Sequence, residues 1–217
     1  GEAPGNQPIV PPSTPLAFTL AWTDYPGSPS IYPNLVNDLD FEIIAPDFEE
    51  QPLPELTPRQ QVERFAREKA RSVAITRPAS LVLGSDTVIE LDGQMLGKPA
   101  DLADARAMLT RLAGRPHEVH TAVALCRQIP RYEAVAIETA AVQIKAFDEA
   151  AIERYLATQE PMGKAGAYSI QGLGGRFIEA ISGDFLGIVG LPLRRVATLL
   201  AGAGVPAPVD VEALYRD

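Results

Sequence analysis

The stretch from Leu81 to Pro99 constrains the fold of this chain most strongly, because it contains a β-hairpin signal in an apolar setting. Leu81–Leu83 and Val88–Leu91 are apolar and β-prone, which favours strands. Asp92-Gly93 then separates the second of these segments from Gln94–Leu96. This dipeptide suits a type I′ turn, since both central residues of that turn need positive φ. The sequence therefore predicts a strand, a two-residue turn and a returning strand.

Asp86 and Thr87 interrupt the apolar run just before this hairpin. A carboxylate in such a setting is costly unless it is paired, hydrogen-bonded or bound to a metal. Lys98 follows the returning strand and could meet Asp86 across the ladder or in a cleft. The alternative is a surface Asp in a turn and a solvated Lys, and this stretch alone leaves both interpretations open.

The composition bounds the class of protein. With 217 residues, the chain is long enough for one large domain or two lobes that share a core. A net charge of −9 argues against a general nucleic-acid binder, which would carry a basic face. It leaves room for a small anionic ligand, because a local lysine cluster or a metal can bind phosphate within an acidic protein.

The hydropathy pattern and the cysteine usage predict a cytoplasmic protein with no membrane partner. No apolar run approaches the roughly 20 residues of a membrane span, and no signal-peptide pattern opens the sequence. The single cysteine, Cys126, excludes an internal disulfide and fits a reducing compartment.

The predicted domain organisation is a disordered Pro-rich leader at residues 1–15, a single α/β domain at residues 16–205 and a C-terminal tail at residues 206–217. Leu16–Trp22 and Phe41–Ile44 are predicted strands, and Asn34–Leu39 is a predicted short helix.

A helix is predicted to begin after Thr57, with Pro58 at its first position and Gln60 completing a capping box. Lys69 falls on the apolar stripe of this helix. One interpretation is snorkelling, with the stem packed and the ammonium in water. The other is a phosphate ligand that points inward, and spacing alone favours snorkelling.

The rest of the chain mixes helices and strands, which predicts an α/β class with a mixed sheet. The further predicted elements are a helix capped by Asp101 and stopped by Gly114, strands at His117–Cys126 and Ala134–Phe147, a helix capped by Asp148 and running through Leu156, a Gly-rich loop at Lys164–Gly175, a strand at Phe177–Ile181 and a helix at Leu191–Ala201. His117 and His120 are interpreted as structural, because no metal-site pattern with other ligands surrounds them.

Four segments, taken in order, resemble the Maf family of nucleoside triphosphate pyrophosphatases. They are Gly84–Val88 (Gly-Ser-Asp-Thr-Val), Leu96–Pro99 (Leu-Gly-Lys-Pro), Lys164–Gly172 (Lys-Ala-Gly-Ala-Tyr-Ser-Ile-Gln-Gly) and Gly190–Leu193 (Gly-Leu-Pro-Leu). The Asp-Thr pair resembles the branch that acts on dTTP and UTP; the branch acting on 7-methyl-GTP typically has Gln where Thr87 stands. The resemblance implies a Maf/ITPase-like mixed β-sheet flanked by helices, with two lobes around a central cleft.

The resemblance also implies the chemistry of the site. Asp86 matches the residue that accepts a proton from the attacking water. Glu50 and Asp86 would hold a divalent cation, Mg²⁺ or Mn²⁺, which suits carboxylate ligands; Glu49 is the fallback for Glu50. The competing interpretation of residues 47–50 is a solvated acidic loop.

Several polar residues match substrate-binding positions of the family. Lys69, Lys98 and Lys164 match lysines that face the triphosphate, and Thr87 and Gln171 match residues that read the base. A hydroxyl and an amide can both donate and accept, which suits a pyrimidine edge.

The N-terminal motif departs from the family pattern. The family has Ser-x-Ser-Pro-Arg-Arg at a helix start, where backbone amides and arginines hold phosphate. The nearest match is Gly27–Ile31, in which Ser28 is retained as a substrate-binding candidate and both arginines are absent.

The resulting prediction is a metal-dependent pyrophosphatase that hydrolyses dTTP, UTP or modified pyrimidine nucleotides to the monophosphate and pyrophosphate. The alternative is a weakened or inactive nucleotide-binding relative with a regulatory role in cell division. The resemblance further implies a homodimer.

Overall fold

The computed structural model of the chain describes residues 18–21, 41–205 and 210–216. The predicted leader, the predicted helix at Asn34–Leu39 and the Ser28 loop lie outside these residues. The strands are β1 (Phe18–Ala21), β2 (Phe41–Ile43), β3 (Leu81–Leu91), β4 (Gln94–Leu96), β5 (Pro116–Arg127), β6 (Tyr132–Ile144) and β7 (Ile178–Ser182). The α-helices are α1 (Pro58–Thr76), α2 (Leu102–Leu112), α3 (Glu149–Leu156), α4 (Phe185–Val189) and α5 (Leu193–Gly202).

The strands form one mixed sheet in the order β2-β1-β3-β5-β6-β7, with β4 paired to β3. β1 runs parallel to β2 and β3, whereas the remaining pairs are antiparallel. Helices flank this sheet, which confirms the predicted α/β class.

β3 is a single strand of 11 residues, so the two segments predicted as strand, Leu81–Leu83 and Val88–Leu91, belong to one strand that continues through Asp86 and Thr87. The ladder continues through both positions, since Asp86 pairs with Ala122 and Thr87 with Thr121 of β5. The backbone hydrogen bonds of a central strand thus override the low β-propensity of Asp. The predicted turn is confirmed, because Asp92 and Gly93 have φ of 54° and 76°.

α1 begins as predicted, with both hydrogen bonds of the capping box between Thr57 and Gln60 formed. Its stripe of small and branched residues packs on the sheet in one buried cluster, with members on both elements: Val62, Ala66, Ala70, Val73, Val82, Val88 and Ala122. α5 packs against the alternating positions Leu81 and Leu83, which point to the opposite face of β3.

The predicted caps of the next helices are confirmed, since Asp101 and Asp148 each accept a backbone N–H of the first turn. α2 and α3 share a second core with the hairpin and with the segment that follows α3. The predicted Gly-rich loop contains two 3₁₀ turns, Ala165–Ala167 and Leu173–Phe177. The sequence analysis missed α4, which occupies one turn and a half ahead of Gly190.

Among the described residues, no helix combines the length and the apolar character needed to cross a bilayer.

Gly84 sets the distance between α1 and β3. A Cβ at this position would lie 2.5 Å from the carbonyl oxygen of Ala66 and 2.7 Å from the backbone nitrogen of Ala70. Both atoms belong to the helix backbone, so they cannot move aside as a flexible side chain would. The close approach of helix and strand therefore requires glycine here.

We expect Gly84→Ala to lower the free energy of unfolding by at least about 2 kcal/mol, because the helix must shift to admit the methyl group. Urea denaturation followed by circular dichroism measures this loss. Gly97→Ala is the matched control, since a Cβ there meets nothing within 4 Å. Equal midpoints for Gly84→Ala and Gly97→Ala would contradict the packing argument.

Candidate functional site

A cleft opens beside the middle of β3, between that strand and the Gly-rich segment that follows α3. Its lining residues come from α1, β3, β5, the Gly-rich segment and α4: Lys69, Ser85, Asp86, Thr87, Ile89, Val119, Lys164, Ala165, Tyr168, Ser169, Ile170, Gln171, Ile188 and Val189. Five of the residues proposed from the sequence, Lys69, Asp86, Thr87, Lys164 and Gln171, thus line one cavity.

Lys69 is the buried cation of this cleft, with only 1% of its side chain exposed. Its Nζ lies 2.6 Å from Glu50 Oε1 and also contacts Asp86 Oδ1. The snorkelling interpretation of Lys69 is therefore wrong. An isolated buried ammonium would be strongly destabilising, and the two carboxylates offset that penalty.

The position of Lys69 follows from the close contact between α1 and β3. Ala66 and Ala70 lie against Gly84, so the helix approaches the strand without an intervening side chain. Lys69 precedes Ala70 on α1, and Asp86 stands two residues beyond Gly84 on β3. The small residues thus bring a long cationic side chain to a carboxylate in the middle of the sheet.

Asp86 is almost entirely enclosed, with 9% of the residue exposed. Burial raises the pKa of Asp86 to about 7, while the charges of Lys69 and, more weakly, Lys98 oppose the rise. A carboxyl whose pKa lies near neutrality can accept a proton at physiological pH. The site therefore contains a group suited to general-base chemistry.

The other two lysines lie at different depths. Lys164 is half-buried and lines the cleft. Lys98 is exposed and lies outside the lining, although its charge reaches Asp86. The structure thus places Lys69 and Lys164 in the wall of the cleft and Lys98 outside the lining.

Thr87 belongs to a chain of hydroxyl groups on the face of β3 opposite Asp86. The Thr121 hydroxyl donates to the carbonyl oxygen of Gly187 at 2.7 Å. Thr87 Oγ1 lies 2.8 Å from Thr121 Oγ1. Since Thr121 donates its only hydroxyl proton to the carbonyl oxygen, Thr87 must be the donor between the two hydroxyls. Thr87 therefore offers an acceptor lone pair to the cleft.

A separate cluster near the end of β3 gives His120 carboxylate neighbours that the sequence analysis did not find. His120 Nε2 lies 2.9 Å from Glu90 Oε2 and 3.5 Å from Glu118 Oε2. Within the described parts of the chain, these three residues are the group of His and carboxylate ligands that could hold a metal ion. Sequence spacing missed the cluster because Glu90 comes from β3 and pairs across the ladder with Glu118 of β5.

The chain matches the family model described as Maf-like protein over residues 33–203. This match covers most of the sequence, including every described cleft residue.

Curated relatives match over a similar length of the chain. The chain is 44% identical to the dTTP/UTP pyrophosphatase of Symbiobacterium thermophilum over 168 residues, which are 77% of this chain and 86% of the relative. It is 44% identical to the dTTP/UTP pyrophosphatase of Shewanella oneidensis, covering 78% and 88% of the two chains. The enzyme of the same name from Bordetella pertussis is 46% identical, with 76% and 81% covered.

His117, which the sequence analysis interpreted as structural, lies behind the cleft and contacts Tyr168. Its Nε2 lies 2.8 Å from the hydroxyl of Tyr168, a lining residue, and the two rings meet edge to face at 5.6 Å. Burial lowers the pKa of His117 to about 4. The imidazole is therefore neutral in the folded protein at every pH well above that value.

We expect His117 to make the protein sensitive to acid between pH 6.5 and pH 4. In this window the unfolded chain binds a proton at His117 and the folded chain does not, so stability falls as the pH falls. A shift from 6.5 to about 4 corresponds to about 3 kcal/mol. In His117→Gln, which keeps a hydrogen-bonding group near Tyr168, this part of the pH dependence should vanish. Urea denaturation of both proteins at pH 4, 5, 6 and 7 provides the comparison, and parallel curves would contradict the assignment.

Proposed function

This chain belongs to the Maf-like protein family, and from that premise we propose that it hydrolyses dTTP and UTP to the nucleoside monophosphate and pyrophosphate. The observation that carries the proposal is the contact of buried Lys69 with Asp86 and Glu50 in a cleft. The alternative, an inactive relative with a regulatory role, is not favoured, because the relatives of 44–46% identity carry the name of an active enzyme.

Asp86 is proposed as the general base. Hydrolysis between the α- and β-phosphates requires a water molecule that loses its proton as it attacks. Asp86 lines the cleft, and its raised pKa gives it the proton affinity that this step needs. The ammonium of Lys69 would hold the carboxylate in place through its contact with Oδ1.

Glu50 and Asp86 are proposed to hold a divalent cation, Mg²⁺ or Mn²⁺. The donor set fits, because both carboxylates contact the same ammonium and hard oxygen ligands suit these ions. When bound, the cation neutralises phosphate charge and lowers the pKa of a coordinated water. Lys69 would then fix the two carboxylates relative to one another.

The three lysines are proposed to bind the triphosphate. Lys69 lies deepest, Lys164 lines the cleft wall and Lys98 is exposed beside it. Positive charges at three depths suit a triphosphate, whose negative charges are distributed along its length. Ser28, which is outside the described residues, is proposed as a further phosphate contact without the two arginines of the family motif.

Thr87 and Gln171 are proposed to read the base. Uracil and thymine present a ring N–H between two carbonyl oxygens, whereas cytosine presents an unprotonated ring nitrogen at the same place. The hydroxyl chain makes Thr87 an acceptor toward the cleft, which matches the ring N–H. The Gln171 amide can donate to a neighbouring carbonyl oxygen.

The cellular setting also remains a proposal. We propose a cytoplasmic homodimer that binds neither nucleic acid nor membranes, in line with the net charge of −9 and the single cysteine.

We expect the protein to release pyrophosphate from dTTP and UTP faster than from other nucleoside triphosphates, and Asp86→Asn to reduce kcat at least about 100-fold, since an amide cannot take a proton from water. The fold should persist, because Lys69 keeps its contact with Glu50. A pyrophosphate-release assay with Mg²⁺ and with Mn²⁺, together with circular dichroism, measures both outcomes.

The matched control is Asp92→Asn, which makes the same chemical change in an exposed hairpin turn where Asn is equally suited. Its kcat should equal that of the parent. Asp86→Asn activity within a few-fold of the parent would remove Asp86 from the role of base. No pyrophosphate release by the parent from any nucleotide would favour the inactive alternative.

We expect activity to disappear with a chelator and to return on addition of Mn²⁺. Glu50→Gln should raise the Mn²⁺ concentration for half-maximal activity about tenfold or more, because one of the two proposed carboxylate ligands becomes a neutral amide. Titration of the apo-protein with Mn²⁺ in the release assay gives this concentration.

His120→Gln serves as the control for the second cluster. Glu90 lies four residues beyond Asp86 on β3, which is about 13 Å along a strand. If the activating cation binds at Glu50 and Asp86, His120→Gln will leave the half-maximal Mn²⁺ concentration unchanged. A large change in His120→Gln with none in Glu50→Gln would move the activating cation to the Glu90, Glu118 and His120 cluster.

A further inference from the structure

The Glu160 side chain accepts hydrogen bonds from the backbone of the segment that contains Gln171. Its Oε1 accepts the amide of Gly174 at 2.9 Å, and its Oε2 accepts the amide of Leu173 at 2.9 Å. The hydroxyl of Tyr155 donates to Oε1 at 2.9 Å and itself accepts the amide of Ser169 at 3.1 Å. The Glu160 carboxylate and the Tyr155 hydroxyl therefore hold the backbone on both sides of Gln171 by hydrogen bonds.

The glycines of this segment fit closely around the same two side chains. A Cβ at Gly172 would lie 2.5 Å from both carboxylate oxygens of Glu160. A Cβ at Gly174 would lie 2.6 Å from the hydroxyl of Tyr155. Gly172 and Gly174 thus permit the close approach of the backbone to Glu160 and Tyr155.

We infer that Glu160, supported by Tyr155, is a positioning residue that fixes Gln171 for recognition of the pyrimidine base. This inference rests on the proposed function. Gln171 is an exposed side chain at the cleft wall, so its orientation depends on the backbone at residues 169–174. Holding that backbone in one conformation removes an ordering penalty that substrate binding would otherwise incur.

The role requires a carboxylate and not merely a polar group. The three groups that Glu160 contacts are all donors, two amides and one hydroxyl, and an ionised carboxylate is a pure acceptor. Burial acts to raise the pKa of Glu160, but the amides of Gly174 and Leu173 and the Tyr155 hydroxyl outweigh it and hold the pKa below its usual range. In Glu160→Gln, an NH₂ group would face one of these donors.

The test compares kcat/KM for dTTP and dCTP in the 217-residue chain. Glu160→Gln should lower the dTTP/dCTP ratio at least tenfold, mainly through a higher KM for dTTP, because a loosened segment no longer presents Gln171. Inhibition by tripolyphosphate, which has no base, should stay within twofold of the parent. A purely structural role would change kcat for both nucleotides equally and leave the ratio intact.

Tyr155→Phe is the second variant, since it removes the supporting hydroxyl while the aromatic ring remains. It should also lower the dTTP/dCTP ratio of kcat/KM. If Glu160→Gln does not fold, this variant alone tests the inference. Glu149→Gln, an exposed position on α3, is the matched control and should leave the ratio unchanged.

The outcomes separate the inference from the proposed function. An unchanged dTTP/dCTP ratio in Glu160→Gln and Tyr155→Phe would overturn the positioning role, as would an equal fall of the ratio in Glu149→Gln. A parent protein with no preference for dTTP would overturn the proposed base recognition and the inference built on it. A parent with that preference and a Glu160→Gln variant without it would support both.

Discussion

The ammonium of Lys69, buried between two carboxylates, is the interaction on which the rest of this structure depends. Removing a charge from water is costly, and a buried pair is stable only when its partners are placed with good geometry. That geometry requires α1 to lie directly on β3, which Gly84 permits by having no side chain. The packing of α1 on the sheet therefore determines the ion pairs of the cleft, and the two cannot change independently.

The two sides of the cleft are stabilised by different means. On the Lys69 side, charged groups on regular elements hold one another in place, and burial brings the pKa of Asp86 near neutrality. On the Gln171 side, the backbone has little regular structure, and the hydrogen bonds of Glu160 and Tyr155 replace a strand ladder or a long helix. Asp86, the proposed general base, thus stands on a rigid scaffold, and Gln171, which is proposed to read the nucleobase, stands on a loop held by a carboxylate.

Local sequence signals predicted the elements whose stability is local. The capping box at Thr57 and the turn at Asp92 were predictable because their hydrogen bonds and dihedral angles involve neighbouring residues. The continuity of β3 through Asp86 was not, since it depends on pairing with β5. The same limit applies to Lys69, whose apolar spacing favoured snorkelling, because the carboxylates that stabilise it come from two other segments.

The candidate residues were identified from the order of the family motifs. The motifs alone do not predict the hydrogen-bond direction at Thr87 or the contacts of Glu160. The direction of the hydroxyl chain at Thr87 depends on the Gly187 carbonyl, which lies far along the sequence. Glu160 lies outside the residues that carried the resemblance, and its donors are backbone amides, which no side-chain pattern records. Both groups act through hydrogen-bond polarity: Thr87 is left as an acceptor because its proton is committed, and Glu160 serves only as an acceptor. In the proposed recognition of the base, discrimination between pyrimidines therefore depends on the direction of each hydrogen bond, beyond the shape of the pocket.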